Sequence, residues 1–249
     1  MRRRVFLEKF AQISAASGML ELSGFDFSQN NNWQKVKKAF GVSQQNPHII
    51  NLNSGSAGIM PIKMIDAVHE LYHFMNNMPP YQALGNWADE RKRIYDRLAM
   101  LLGCSTDEII IQRNATEALN NIILGHPYNE GDEIIISSQD YPSIINALTT
   151  VANKHGAKLK IVDISLASSH NTIIEAYRGA ITDKTTMMVI CHVTYRDGNI
   201  LPVKALTSLA AAHNIAVVLD AAHSVGQFEF KLNKLDPVYM GCSLHKWMM

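Results

Sequence analysis

Several residues capable of catalysis directly follow apolar runs of this chain. The last run leads into Ser243-Leu244-His245-Lys246-Trp247, where a lysine stands between two ring side chains. A lysine amine that is partly withdrawn from water has a lowered pKa and can form a Schiff base with an aldehyde. Most lysines are solvated surface groups, so Lys246 by itself indicates only a candidate nucleophile.

An aspartate ends another run. Ala216-Val217-Val218-Leu219-Asp220 is apolar except at its final position, and Ala221-Ala222-His223 follows. A buried carboxylate is costly unless it is paired, and the protonated ring nitrogen of a cofactor would be a suitable partner. A structural salt bridge or a metal ion is the alternative for Asp220.

Two earlier segments complete the set of candidate residues. Asn114-Ala115-Thr116 opens a predicted helix, whose free N–H groups and dipole favour a phosphate, although an ordinary helix cap would look the same. Ser138-Gln139-Asp140-Tyr141 places an aromatic ring after another run, where it could stack on a planar cofactor or belong to the core.

The elements that position these residues alternate between β-branched runs and helical periods, which is typical of parallel βα units. The strands are predicted at Glu108 to Gln112, Glu133 to Ser138, Lys158 to Asp163, Thr186 to His192, Ala216 to Asp220 and Val238 to Ser243. The helices are predicted at Pro61 to Met75, Asn86 to Leu102, Thr116 to Leu124, Ser143 to His155, Thr172 to Ile181 and Val203 to His213. We therefore expect an α/β fold with a doubly wound sheet, at whose carboxyl edge the candidate residues would meet.

Composition limits the class of partner. The chain has 249 residues and a net charge of +1, so no overall field attracts nucleic acid or a membrane surface. No run approaches the roughly 20 apolar residues that span a bilayer. The three cysteines are far apart and fit neither a disulfide framework nor a zinc site. We expect a small-molecule partner.

The N-terminal part differs from the rest. Residues 1–48 are predicted to form an arm, and 49–249 a cofactor-binding domain. Arg3-Arg4-Val5-Phe6-Leu7 is similar to a twin-arginine export signal, but Glu8 stands where that signal prefers a lysine. The protein is therefore expected either in the cytoplasm or exported to the periplasm.

A short zinc motif offers a competing hypothesis. His69-Glu70-Leu71-Tyr72-His73 matches HExxH on a predicted helix, where two histidines one turn apart could bind zinc. The alternative is that Met64, Val68, Leu71 and Met75 form a buried stripe and the histidines face water. A zinc peptidase would leave Asn114, Asp220 and Lys246 unexplained, so no metal site is predicted.

Together these motifs resemble the class V aminotransferases, which belong to the pyridoxal-phosphate enzymes of fold type I. The resemblance runs from about Asn51 to Trp247. Its most specific parts are Asn114 to Asn120, His192-Val193-Thr194, Asp220 to Ser224 and Leu244 to Trp247. The last of these, with His192-Val193-Thr194 and the opening Asn53 to Pro61, points to isopenicillin N epimerase-like members rather than to the desulfurase branch.

The resemblance implies pyridoxal 5′-phosphate as cofactor and a three-layer, mostly parallel large domain. Lys246 would bind the cofactor and transfer a proton at the substrate α-carbon, and Asp220 would keep the pyridine nitrogen protonated. His223 would contact the ring hydroxyl and Tyr141 would stack on the ring. The phosphate would be held by Ala115, Thr116, Ser243 and His245.

The resemblance also implies an amino-acid substrate, which would react through an external aldimine and an α-carbanion in aminotransfer or epimerisation, and it implies a homodimer.

Two departures from the family stand out. Tyr195 and Arg196 occupy positions where relatives have smaller or amide side chains. The chain also ends three residues after Lys246, so the small C-terminal domain is expected to be missing. An inactive cofactor-binding fragment is therefore the alternative.

Overall fold

The computed structural model describes residues 36–41, 48–77, 79–165 and 169–248, with the backbone alone for 80–87. Its helices are α1 (Ile62–Asn76), α2 (Pro80–Leu102), α3 (Ala115–Gly125), α4 (Pro142–His155), α5 (His170–Ala180), α6 (Val203–Ala211), α7 (Leu232–Leu235) and α8 (Leu244–Trp247). Its strands are β1 (Glu133–Ser137), β2 (Lys158–Val162), β3 (Thr185–Cys191), β4 (Ala216–Asp220) and β5 (Tyr239–Gly241).

The five strands form one sheet in the order β2-β1-β3-β4-β5, and every neighbouring pair is parallel. The chain moves outward from β1 to β2 and then returns past β1 to β3, so the direction of winding reverses between β1 and β3. In open α/β sheets, ligands bind beyond the carboxyl ends of the strands at such a reversal. The topology therefore marks the ends of β1 and β3 as the place for a site.

Two apolar clusters cover the two faces of the sheet. On one face α5 and α6 pack against Met188 and Ile190 of β3, and on the other α3 and α4 pack against Met187 and Val189. Alternate residues of a strand point to opposite faces, which explains why one continuous apolar strand serves both clusters. The predicted three-layer, doubly wound α/β fold is confirmed.

Local signals in the sequence set the bounds of the helices. The Asn114 side chain caps α3 by accepting a hydrogen bond from the N–H of Glu117 at 2.9 Å. Pro142 occupies the first turn of α4, and Gly156 ends that helix with a left-handed φ of 70°. Helix α2 begins at Pro80, six residues before the predicted start at Asn86.

The predicted strand at Glu108 to Gln112 is wrong. Ser105 and Glu108 form a capping box that turns Thr106–Glu108 into a short 3₁₀ helix. The segment that follows pairs with no strand among the described residues, and its Ile110 side chain is 78% exposed. A β-branched run has the propensity for a strand, but only a neighbouring strand can satisfy its backbone hydrogen bonds.

The predicted buried stripe of α1 is also wrong. Helix α1 has no buried residue, and Val68, Leu71 and Met75 are 38%, 43% and 52% exposed. None of its residues belongs to either apolar cluster, since its amphipathic spacing meets no partner face in the part of the chain that the structure describes. Its start is fixed instead by an antiparallel bridge between Phe40 and Pro61.

The other expectations for the N-terminal part fall largely outside the described residues. The twin-arginine pattern at Arg3 and Arg4 is one of these. The domain boundary at residue 48 stays a prediction. Across the described ranges, no helix combines the length and the apolar character needed to cross a membrane.

Candidate active site

Lys246 and His223 form the centre of the candidate site. Lys246 lies in α8, and its Nζ is 3.1 Å from Nε2 of His223 in the loop after β4. Burial lowers the pKa of Lys246, an effect that the negative charge of Asp220 partly offsets. Burial, with the positive charge of Lys246, lowers the pKa of His223 to about 4. At neutral pH the histidine is therefore uncharged and can accept a hydrogen bond from the lysine.

Asp220 lies at the carboxyl end of β4, where its charge acts on Lys246. Its side chain is 4% exposed, and its Oδ1 accepts a hydrogen bond from the N–H of Ala222 at 3.0 Å. Burial raises the pKa of Asp220, whereas the Ala222 N–H and the charge of Lys246 lower it. A cationic partner would stabilise its negative form, because a buried carboxylate without one is costly.

The predicted phosphate-binding residues lie at the start of α3 and α8. The Ala115 N–H donates to Oγ of buried Ser243 at 3.2 Å, which joins the two helix starts. The N–H of Thr116 has no acceptor among the described residues. The His245 side chain is exposed beside Lys246. An unpaired N–H at the start of a helix is the donor that a phosphate oxygen requires.

Aromatic side chains border the other side of the lysine. The Tyr141 ring centroid is 6.0 Å from Lys246 Nζ, and the ring is 45% exposed. Tyr195, from the loop after β3, meets Tyr141 edge to face at 5.2 Å between centroids. Arg196 donates from Nε to the hydroxyl of Tyr195 at 2.8 Å. The sheet thus brings together the ends of β1 and β3, as the winding reversal requires.

The turn before α1 also belongs to the site, which the sequence did not reveal. The Gly58 N–H donates to the His245 carbonyl oxygen at 2.8 Å. A Cβ on Gly58 would lie 2.6 Å from the Lys246 carbonyl oxygen, and one on Gly55 would lie 2.8 Å from Cε1 of His223. No local signal in Asn53 to Gly58 shows which distant backbone its glycines approach.

The HExxH histidines form no comparable arrangement. His69 and His73 are exposed on α1, and in the part of the chain that the structure describes no three His, Cys, Asp or Glu side chains are grouped to hold a metal ion. The zinc hypothesis therefore gains no support from the geometry.

The site's groups fit pyridoxal 5′-phosphate. An amine of lowered pKa suits its aldehyde, a buried carboxylate suits its protonated ring nitrogen, and the unpaired Thr116 N–H suits its phosphate. The roles of Ala115, Thr116, Tyr141, Asp220, His223, Ser243, His245 and Lys246 remain predictions.

Residues 49–249 match the family model of the class-V aminotransferases, and the chain belongs to this family. The family's cofactor is pyridoxal 5′-phosphate. Both the predicted family and the predicted cofactor are thereby confirmed.

Curated relatives carry out different reactions. The hercynylcysteine sulfoxide lyase of Schizosaccharomyces pombe is 22% identical, over 86% of this chain and 54% of the lyase. The isopenicillin N epimerase of Streptomyces clavuligerus is 26% identical over 87% of this chain and 54% of the epimerase. A probable cysteine desulfurase of Halalkalibacterium halodurans is 28% identical over 86% of this chain and 55% of the desulfurase. This chain therefore spans about half the length of the curated relatives it matches.

Solved structures share the fold. The cystine C–S lyase C-DES, in complex with cysteine persulfide, superposes with a TM-score of 0.74 at 21% identity, covering 78% of this chain and 52% of the lyase. The cysteine desulfurase CsdA of Escherichia coli also superposes with a TM-score of 0.74, at 18% identity, covering 86% of this chain and 54% of the desulfurase. At these identities the likeness establishes the fold.

Proposed function

We propose that this chain is the cofactor-binding part of a pyridoxal-phosphate enzyme that acts on the α-amino group of an amino acid. The observation that carries the proposal is the contact between Lys246 Nζ and the neutral His223 ring, 3.1 Å apart, with the buried carboxyl group of Asp220 interacting with Lys246. This arrangement combines a nucleophilic amine and a fixed negative charge at one edge of the sheet.

The cofactor, when bound, supplies an electron sink for negative charge at the substrate α-carbon. The chain's own residues orient it and control protons. Lys246 has an amine of lowered pKa, so it can hold and return a proton at that carbon. His223 accepts a hydrogen bond from this amine and keeps it directed into the site.

Two other groups fix the cofactor in place. Asp220 would favour a proton on the ring nitrogen, because the pair of opposite charges that results is stabilised in a low-dielectric place. The N–H of Thr116 and the helix dipole of α3 favour the phosphate. Tyr141, with its ring centroid 6.0 Å from Lys246 Nζ, borders the site on the side of β1.

We propose aminotransfer or epimerisation as the reaction, following the resemblance to isopenicillin N epimerases. Cleavage of a carbon–sulfur bond is the second candidate, since a lyase and a desulfurase are similar to this chain. The three outcomes begin with the same proton removal and differ in where the proton returns or which bond breaks next. A homodimer, and export through the twin-arginine pattern, are further proposals.

The test is a visible absorption titration of the purified chain with pyridoxal 5′-phosphate. Wild type should develop the band of a lysine-bound cofactor, and Lys246→Ala should not. Lys184→Ala is the matched control, because this exposed lysine lies at the opposite end of β3. A band that survives in Lys246→Ala would contradict the role of Lys246. No band in folded wild type would contradict the proposal and leave an inactive fragment.

The reaction is assigned by products. L-amino acids, cysteine among them, are added to the loaded protein, and the D-enantiomer, the keto acid and sulfide are measured. Racemised amino acid supports epimerisation, keto acid with converted cofactor supports aminotransfer, and sulfide supports carbon–sulfur cleavage.

A further inference from the structure

Asp140 is a buried acid that the proposed chemistry does not use. It lies in the turn between β1 and α4, immediately before Tyr141, and is 1% exposed. Its Oδ2 accepts hydrogen bonds from the N–H and the hydroxyl of Ser137, which is itself fully buried. Its Oδ1 has no hydrogen-bond partner among the described residues. Half of this carboxyl group is therefore left unsatisfied in the interior.

No described residue acts on Asp140 with a positive charge. Its side chain interacts with Ser137 of β1, Tyr177 of α5, Cys191 of β3 and Asp220 of β4. The positive charge of Lys246 acts on Cys191 and Asp220 instead.

An unpaired buried carboxylate costs several kcal/mol, whereas the acid form does not carry that cost. Burial, together with the negative charge of Asp220, accordingly raises the pKa of Asp140 to about 8, although the Ser137 hydrogen bonds oppose this.

The hydrogen bonds of Asp140 also close the turn that presents Tyr141. The Asp140 N–H donates to the Ser137 carbonyl oxygen at 3.3 Å, and the Gln139 N–H donates to Ser137 Oγ at 3.3 Å. Tyr141 follows directly as the residue that precedes the first turn of α4. The direction in which the Tyr141 ring leaves the backbone therefore depends on the contact between Asp140 and Ser137.

We propose that Asp140 is a positioning residue that carries a proton: it fixes the turn bearing Tyr141 and leaves Asp220 as the buried negative charge of the site. The role of Asp220 in this statement rests on the proposed function. In the sheet, β3 separates β1 from β4, and Cys191 of β3 is paired in register with Asp220. An ionised Asp140 would add a second buried negative charge that repels that of Asp220, and it would drive a proton onto Asp220.

Protonation of Asp140 can be measured without cofactor. The infrared difference spectrum of wild type minus Asp140→Asn should show the carbonyl stretch of a buried carboxylic acid below about pH 7, and this band should disappear as the pH rises through the raised pKa. A difference spectrum that showed carboxylate bands alone at about pH 6 would overturn the proposal.

Positioning is measured by hydrogen exchange of the turn amides from Ser137 to Asp140, again without cofactor. Asp140→Asn keeps a neutral acceptor and should retain their protection. Asp140→Ala removes the acceptor of both Ser137 donors, so exchange should accelerate about tenfold or more. Equal protection in the two variants would contradict the positioning role.

The loaded protein provides a third readout. The absorption spectrum of loaded wild type should change near pH 8, as Asp140 loses its proton. Asp140→Asn should bind pyridoxal 5′-phosphate within about threefold of wild type and should lack this change. Asp140→Ala should bind about tenfold more weakly. Equal weakening in both variants overturns the proposal. If wild type shows no Lys246-dependent band, the proposed function is contradicted instead. The infrared and hydrogen-exchange measurements, which need no cofactor, still decide the protonation and positioning of Asp140.

Discussion

Substitution of Gly58 by alanine should damage the lysine site from a turn almost 200 residues away in sequence. The Cβ of the new side chain would lie 2.6 Å from the Lys246 carbonyl oxygen and 2.9 Å from that of His245. Both atoms belong to the backbone of α8, so no side-chain rotation can relieve the contact. Either the turn or α8 has to move.

The size of the effect follows from these distances. Ordinary contact begins at 3.4 Å, so the closest pair must separate by about 0.8 Å. Overpacking of this kind costs about 1–3 kcal/mol of unfolding free energy. A displacement of about 1 Å at a reacting group can lower a rate by about 100-fold. We therefore expect a modest loss of stability and a 10- to 100-fold slower reaction of Lys246 with the cofactor.

The assay combines urea unfolding with the rate at which the lysine-dependent absorption band forms. Gly179→Ala is the matched control, because Gly179 is exposed within α5 and a Cβ there meets nothing within 4 Å. That variant should gain up to about 1 kcal/mol and keep the wild-type rate. If Gly58→Ala formed the band as fast as Gly179→Ala, the turn would not be in the proposed contact with α8.

Three further substitutions test the fold and its titration. Burial lowers the pKa of His223 to about 4, so wild-type unfolding free energy should fall as the pH drops from about 6.5 toward 4; His223→Gln should flatten that slope in urea titrations. Ile123→Ala, at a fully buried position of α3, should cost about 2–5 kcal/mol in the same assay. Asn114→Ala removes the cap of α3 and should cost about 1 kcal/mol by thermal unfolding, and a cost below 0.3 kcal/mol would refute the capping role.

The elements of the sheet could be read from the sequence because their signals are local. A run such as Ile134 to Ile136 is buried on both faces and therefore continuously apolar, while Pro142 and Gly156 mark the ends of the helix that follows. Where burial depends on a partner, this reasoning failed. Within the described ranges, Ile110 has the propensity of a strand residue but no paired strand, and Leu71 lies on an amphipathic helix with no face to pack against.

The candidate site shows the same division. Lys246, Asp220 and Tyr141 could be found from the sequence because parallel strands expose their carboxyl ends at one edge, which makes the residue after each strand a candidate. The sequence alone did not show that Gly58 lies against the lysine helix, or that the described neighbours of Asp140 include no cation. Contacts between residues distant in sequence, and the loss of solvent around a charge, exist only after the layers have packed. The identities of the reactive groups were therefore determined by the sequence, whereas their protonation and their close approach were decided by the tertiary structure.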